Sequence, residues 1–165
     1  MPDDLIDKLA SQIKAKEDAA ALTAKIQLHK ADFIRANCGG FFGRVADELK
    51  RLTDELTAAL AGNSSADPPI VFSRQAISVA IDKHDFPNAH AELNVNAQAL
   101  NLKFELYWSP RRGGPGGGGS NGTWKFDVNQ DNDLILLNNP GEPAARFTTP
   151  KEVAEFVIST IFTVA

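Results

Sequence analysis

The chain has 165 residues, 43% of them hydrophobic and 23% charged, which is enough material for a packed core and ordinary for a globular domain. Its net charge of -4 is spread evenly: residues 1–62 carry 9 basic and 10 acidic side chains, and residues 63–165 carry 8 and 11. That pattern offers no basic stripe to track phosphates and argues against nucleic acid as a partner.

No apolar run approaches the ~20 residues of a membrane span, so no membrane partner is expected. Cys38 stands alone and cannot close a disulfide within the chain. Met1 is not followed by a basic segment and an apolar run of the secretory kind. The expectation is a cytoplasmic protein.

From Asp3 to about Gly62 the sequence is rich in Ala, Leu, Lys, Asp and Glu, with no proline after Pro2, which predicts a helical arm. In its second half Phe42, Val45, Leu49, Leu52 and Leu56 recur at steps of three and four and lay an apolar seam along one helix face. Asp47 with Arg51, and Lys50 with Asp54, stand four apart and predict surface ion pairs. In the first half Ile6, Leu9 and Ile13 share a face that Lys16 interrupts. Leu22, Ile26 and Phe33 then resume in another phase.

Between the halves lies Asn37-Cys38-Gly39-Gly40. Two glycines inside a helix cost roughly 2 kcal/mol relative to alanine, so a bent helix or a helical hairpin is expected. The alternative is an unbroken helix whose Gly39, Gly40 and Gly43 admit a second backbone. Cys38 lies on the seam side and reads as a buried structural thiol.

Residues 63–69 read as a linker closed by Pro68 and Pro69. After it the period changes from 3.6 to 2. Ile77, Val79 and Ile81 alternate with small residues, as do Leu93, Val95 and Ala97 with Asn94, Asn96 and Gln98. Leu100 to Trp108 alternate again, in the opposite parity. The flip near Ala99 reads as a bulge in one long strand, with a tight hairpin as the lesser option because Gln98-Ala99 is poor turn chemistry. Trp124 to Val128 and Leu134 to Leu137 complete a half-solvated antiparallel sheet of about five strands. Thr149-Pro150-Lys151-Glu152 then sets an N-cap, a first-turn proline and a capping-box glutamate. Val153, Phe156, Val157 and Ile161 form the apolar face of the helix that follows.

Three polar segments carry candidate chemistry. Asp127, Asn129, Asp131 and Asp133 resemble the first half of a calcium loop, yet Asn132 stands where glycine is required and Asn138 where a bidentate glutamate is required. A polar hairpin turn explains the same residues. Asp82, His84, Asp85 and His90 have metal-ligand chemistry but surround a Phe86-Pro87-Asn88 turn signal. Residues 111–122 form a glycine-rich segment read as a mobile hairpin loop, in which Arg111 and Arg112 could meet an anion or a partner. Asn94, Asn96, Gln98 and Asn101 form an amide-rich row suited to a polar ligand or simply to water.

The fold expected is α+β, with a helical arm over 1–62, a linker over 63–69, and sheet plus C-terminal helix over 70–165. No catalytic or cofactor-binding residues are assigned, and no cofactor is expected. The function expected is a non-enzymatic protein-interaction module, self-associating or partner-binding through the seam Phe42, Val45, Leu49, Leu52 and Leu56. The rival expectation is a small-molecule-binding protein or enzyme with a pocket between sheet and helices near Tyr107, Trp108 and Trp124.

Overall fold

The prolines at 68 and 69 separate helix from sheet as the change of period requires. The structure, a computed structural model, describes residues 2–63, 68–84, 87–109, 117–139 and 144–163. The chain divides into two compact units, Met1–Phe33 and Ile34–Ala165. One helix, α1 (Pro2–Leu60), belongs to both, and all of the sheet belongs to the second.

Helix α1 does not turn back into a hairpin: helical residues continue through Asn37, Cys38, Gly39 and Gly40. Ile34, Cys38, Phe41 and Phe42 lie on either side of the glycines and are all buried, at 2–3% exposure. Burying one such large side chain contributes about 1.5–3 kcal/mol, so together they outweigh the glycine penalty. A methyl group at Gly39 or Gly40 would meet nothing, so neither admits a second backbone within this chain. The helix ends where Gly62 turns left-handed (φ +82°) and the Asn63 N–H reaches back to the Leu60 carbonyl (3.0 Å).

The sheet has six strands rather than five: β1 (Ile70–Arg74), β2 (Ser78–Lys83), β3 (Asn88–Asn96), β4 (Asn101–Ser109), β5 (Gly118–Val128) and β6 (Leu134–Leu137). Each pairs antiparallel with its neighbour in sequence. One departure from the sequence reading raises the count: the parity flip is a hairpin instead of a bulge. Asn96 lies opposite Asn101, the Asn96 Oδ1 accepts the N–H groups of Gln98 (3.0 Å) and Ala99 (2.9 Å), and Leu100 takes the left-handed conformation (φ +55°). The asparagine side chain therefore supplies the turn chemistry that Gln98-Ala99 lacks.

Period-2 alternation gives the sheet one apolar face. Val79, Ile81, Ala91, Leu93, Leu102, Phe104, Leu106, Trp124, Phe126 and Leu136 share it and are buried. On that face the Phe41 ring of α1 meets Phe126 edge to face, with centroids 5.6 Å apart. Helix α2 (Pro150–Thr163) brings Phe156 against Phe104 (5.5 Å) and Trp124 (5.6 Å), and Phe147 closes the cluster against Trp124 (4.9 Å). Glu152 caps α2 as expected: its N–H donates to Thr149 Oγ1 (3.2 Å), while its carboxylate accepts from the Thr148 hydroxyl (2.6 Å).

Part of the glycine-rich segment is strand, which corrects the loop reading for Gly118–Gly122. Gly118 pairs with Trp108 and Gly119 with Tyr107, and a methyl group on Gly118 would come within 2.6 Å of Trp108 Cζ2. Glycine is needed there because the indole lies against the backbone. Arg111 and Arg112 lie outside the described residues, as do Ser64–Asp67 of the linker.

Candidate functional site

The seam read from the sequence divides in two. Phe42, Val45 and Leu49 are 0–2% exposed and lie in the chain's own core, and Leu52 and Leu56 are half-buried at its margin. Asp47 does not pair with Arg51 but reaches Arg74 of β1 (3.0 Å), while Arg51 bonds Glu48 (2.9 Å) and Glu55 (2.7 Å). Lys50 and Asp54 pair as expected, at 2.7 Å.

The unburied apolar surface lies earlier in α1. Leu5, Ile6, Leu9, Ile13, Leu22, Ile26 and Leu28 are each 48–62% exposed. Scattered surface leucines are ordinary, but seven large apolar side chains within 24 residues of one helix form a concentrated surface. Leu9, Gln12, Ile13, Ala15 and Lys16 line a shallow depression on it. This is the principal candidate site.

A second constellation sits on the open face of the sheet. Asp82, His90 and Tyr107 lie directly opposite one another on β2, β3 and β4, and Glu92 lies opposite Glu105. The His90 Nδ1 is 2.6 Å from Asp82 Oδ1 and its Nε2 is 3.6 Å from Glu92 Oε2. Partial burial pulls the imidazole pKa down, but the bond to Asp82 and the charges of Asp82 and Glu92 outweigh it, and the net direction is up. Lys103 Nζ (3.2 Å from Glu105) and Asn94 Nδ2 (3.1 Å from Glu92 Oε1) temper the opposed glutamates.

Beside this row, the ends of β2, β3 and β4 frame an open groove of about 290 Å³ lined by Asp82, Asn88, His90, Tyr107, Trp108 and Ser109. Tyr107 is 55% exposed there. Trp124, on the opposite face, is buried in the aromatic cluster, so Tyr107, Trp108 and Trp124 do not line one wall.

The other sequence candidates are placed as follows. His84 is exposed and stands apart from the His90 row, and Asp85 lies outside the described residues. Asp127, Asn129, Asp131 and Asp133 sit at the β5–β6 hairpin, flanked by strands. The Asn129 Oδ1 accepts the N–H groups of Asp131 and Asp133 (2.9 Å each), and Asn132 is left-handed (φ +60°). Among the described residues no group of three or more His, Cys, Asp and Glu side chains is disposed to hold a metal ion.

The amide row does not form one binding face, since the Asn96 side chain holds its own turn and Gln98 lies within it. Cys38 is buried, with its thiol 3.8 Å from the Arg35 carbonyl, and burial pushes its pKa up against the opposing effect of backbone hydrogen bonds. A buried, protonated thiol is a poor nucleophile.

Sequence reasoning missed the roles of Glu92 and Glu105. Their parity with His90 and Tyr107 was visible, but the register that sets them opposite one another was not. No helix among the described residues is long and apolar enough to cross a membrane. No protein-family model, no curated protein and no solved structure matches the chain.

Proposed function

We propose that the protein is a non-enzymatic interaction module that associates with further copies of itself through the first 33 residues of α1. The observation that carries this reading is the set of seven large apolar side chains left 48–62% exposed there. Helices owe most of their stability in water to packing of an apolar face, and this face has none within the chain's own core. The seam from Phe42 to Leu49 serves the fold, and the earlier residues serve association. A cytoplasmic setting fits the single thiol.

Sedimentation velocity across micromolar concentrations tests the reading. The expected mass is a multiple of the 17.8 kDa chain, reduced to one chain by glutamate at Leu9, Ile13, Leu22 and Ile26 together. A monomer at every concentration would refute it.

A second reading, a small-molecule-binding protein, draws support from the open groove where the exposed Tyr107 ring stands beside Asp82 and His90. A screen of small polar ligands by thermal shift, with Tyr107→Ala as the control, separates the two.

A further inference from the structure

The open groove at the ends of β2, β3 and β4 owes its shape to a glycine. Tyr107 lies opposite His90 on one side and opposite Gly119 on the other. A methyl group on Gly119 would stand 3.3 Å from Tyr107 Cδ1 and 3.5 Å from its Cε1. The ring therefore leans over β5, into space that any side chain at 119 would contest. It stays open to solvent, with Asp82 and His90 accessible beside it. Asn88 and Ser109 face each other two residues along the same strands and are also exposed. His90, Tyr107, Asn88 and Ser109 thus stand at the corners of a patch about 5 Å by 7 Å, the spacing of two strands by two residues.

The charges of this lining cancel. With His90 neutral, Asp82 carries one negative charge and Lys83 one positive. Each is already engaged: Asp82 with His90 (2.6 Å), and the Lys83 ammonium with the Pro87 carbonyl (3.0 Å). In the neighbouring row Glu92 holds Asn94 (3.1 Å) and Glu105 holds Lys103 (3.2 Å). Neither an anion nor a cation finds an uncompensated counter-charge here. What the groove offers is an aromatic ring beside groups that both donate and accept, namely the Asn88 amide, the Ser109 hydroxyl and the further lone pairs of the Asp82 carboxylate. A ligand that satisfies it is uncharged, covers the ring with a flat C–H face and carries hydroxyls around its rim. A pyranose ring has all three properties.

We infer that the groove binds a neutral sugar in its pyranose form, with the C–H face on Tyr107 and the hydroxyls on Asp82, Asn88 and Ser109. This rests on the small-molecule reading above and deepens it by naming the ligand class. The volume of about 290 Å³ stands at the small end of ligand sites and suits one ring rather than several. A hydroxyl donated to the Asp82 carboxylate makes the strongest of the contacts, because it is charge-assisted. One open subsite of this kind binds weakly, with a Kd of about 1–10 mM.

The test is an NMR titration of the full chain with the methyl pyranosides of glucose, galactose, mannose and N-acetylglucosamine, up to about 50 mM. Glycerol, which has hydroxyls without a flat face, and tetramethylammonium, which has charge without hydroxyls, are the comparison probes. The expected result is saturable shifts at Asn88, Ser109 and Gly119 with at least one pyranoside and with neither comparison probe. Tyr107→Ala should weaken binding about tenfold, and Tyr107→Phe should retain it, since the ring and not its hydroxyl meets the sugar. Asp82→Asn should weaken it about three- to tenfold. Unchanged resonances elsewhere show that each variant is folded. Saturable shifts from tetramethylammonium in place of the sugars would overturn the sugar assignment and leave a small-molecule site standing. Silence from every probe would overturn both. Sugar binding that survives Tyr107→Ala undiminished, or shifts as strong from glycerol, would also overturn the inference, because the ring would then select nothing.

Discussion

Leu49→Ala separates the two roles assigned to α1. Leu49 is fully buried, and Val45 one turn earlier is equally closed to water. The Thr53 hydroxyl is tied to the Leu49 carbonyl (2.7 Å), which holds this turn in place and limits its collapse into a void. Leucine-to-alanine changes at such sites cost about 2.7–5 kcal/mol, rising by about 24 cal/mol for each Å³ left empty. With little room to relax, a loss of about 3–4 kcal/mol is expected, and a midpoint drop of roughly 10–20 °C for a unit of this size. Urea unfolding followed by the fluorescence of Trp108 and Trp124 measures the first quantity, and light scattering on the same samples measures association. The reasoning predicts a large loss of stability with the mass of the folded protein unchanged. A loss below about 1 kcal/mol accompanied by dissociation would refute it, because the seam would then face a partner and not the chain's own sheet.

Glycine replacements should split by sign. Gly39→Ala, at an exposed and roomy helix position, should stabilise by about 0.5–1 kcal/mol, whereas Gly118→Ala, which drives a methyl group into Trp108, should destabilise by about 1–3 kcal/mol in urea titrations. For His90 the folded pKa is raised above its unfolded value. Its contribution to stability is therefore complete below the ordinary histidine range and disappears as pH rises through the folded value. At 38% side-chain exposure the effect should stay below about 1 kcal/mol, and His90→Gln should flatten the urea midpoint between about pH 5 and pH 9. Identical profiles for the two proteins would show that the Asp82 contact carries no charge coupling. Millimolar calcium should leave the melting temperature unchanged, since a ligand stabilises only above its dissociation constant. Asn129→Ala, which removes two hydrogen bonds from the hairpin, should cost about 1–2 kcal/mol.

The fold was legible where local chemistry and burial agree. Thr149, Pro150 and Glu152 marked the start of α2, and period-2 alternation gave β2 to β6 their buried face. It was illegible where a distant partner decides. Gly118 to Gly122 have almost no side chains to betray a strand, and hydrogen bonds from β4 impose the conformation. The turn at 97–100 hides its determinant in Asn96, one residue before it, and asks a left-handed conformation of a leucine. In α1 the glycines at 39 and 40 suggested a break, which burial on both sides overrode. The same limit applies to the candidate site. Ile6, Leu9 and Ile13 were visible as a face, but the sequence could not say that the later seam would be covered by the sheet and this one left open.

The meeting of Phe41 with Phe126 has a consequence for synthesis. The apolar face of α1 is made first, and the ring that covers it follows roughly 85 residues later, an interval of several seconds at about 5–20 residues per second. Adjacent strands can pair as they emerge, because each joins its immediate predecessor, but Phe41 must wait for β5. During that wait Phe41, Phe42 and Val45 are as open to water as Leu9 and Ile13 are in the folded single chain. A nascent chain therefore presents a longer adhesive helix than the mature one, and chaperone capture or premature pairing between neighbouring ribosomes on one message should concentrate at residues 34–49.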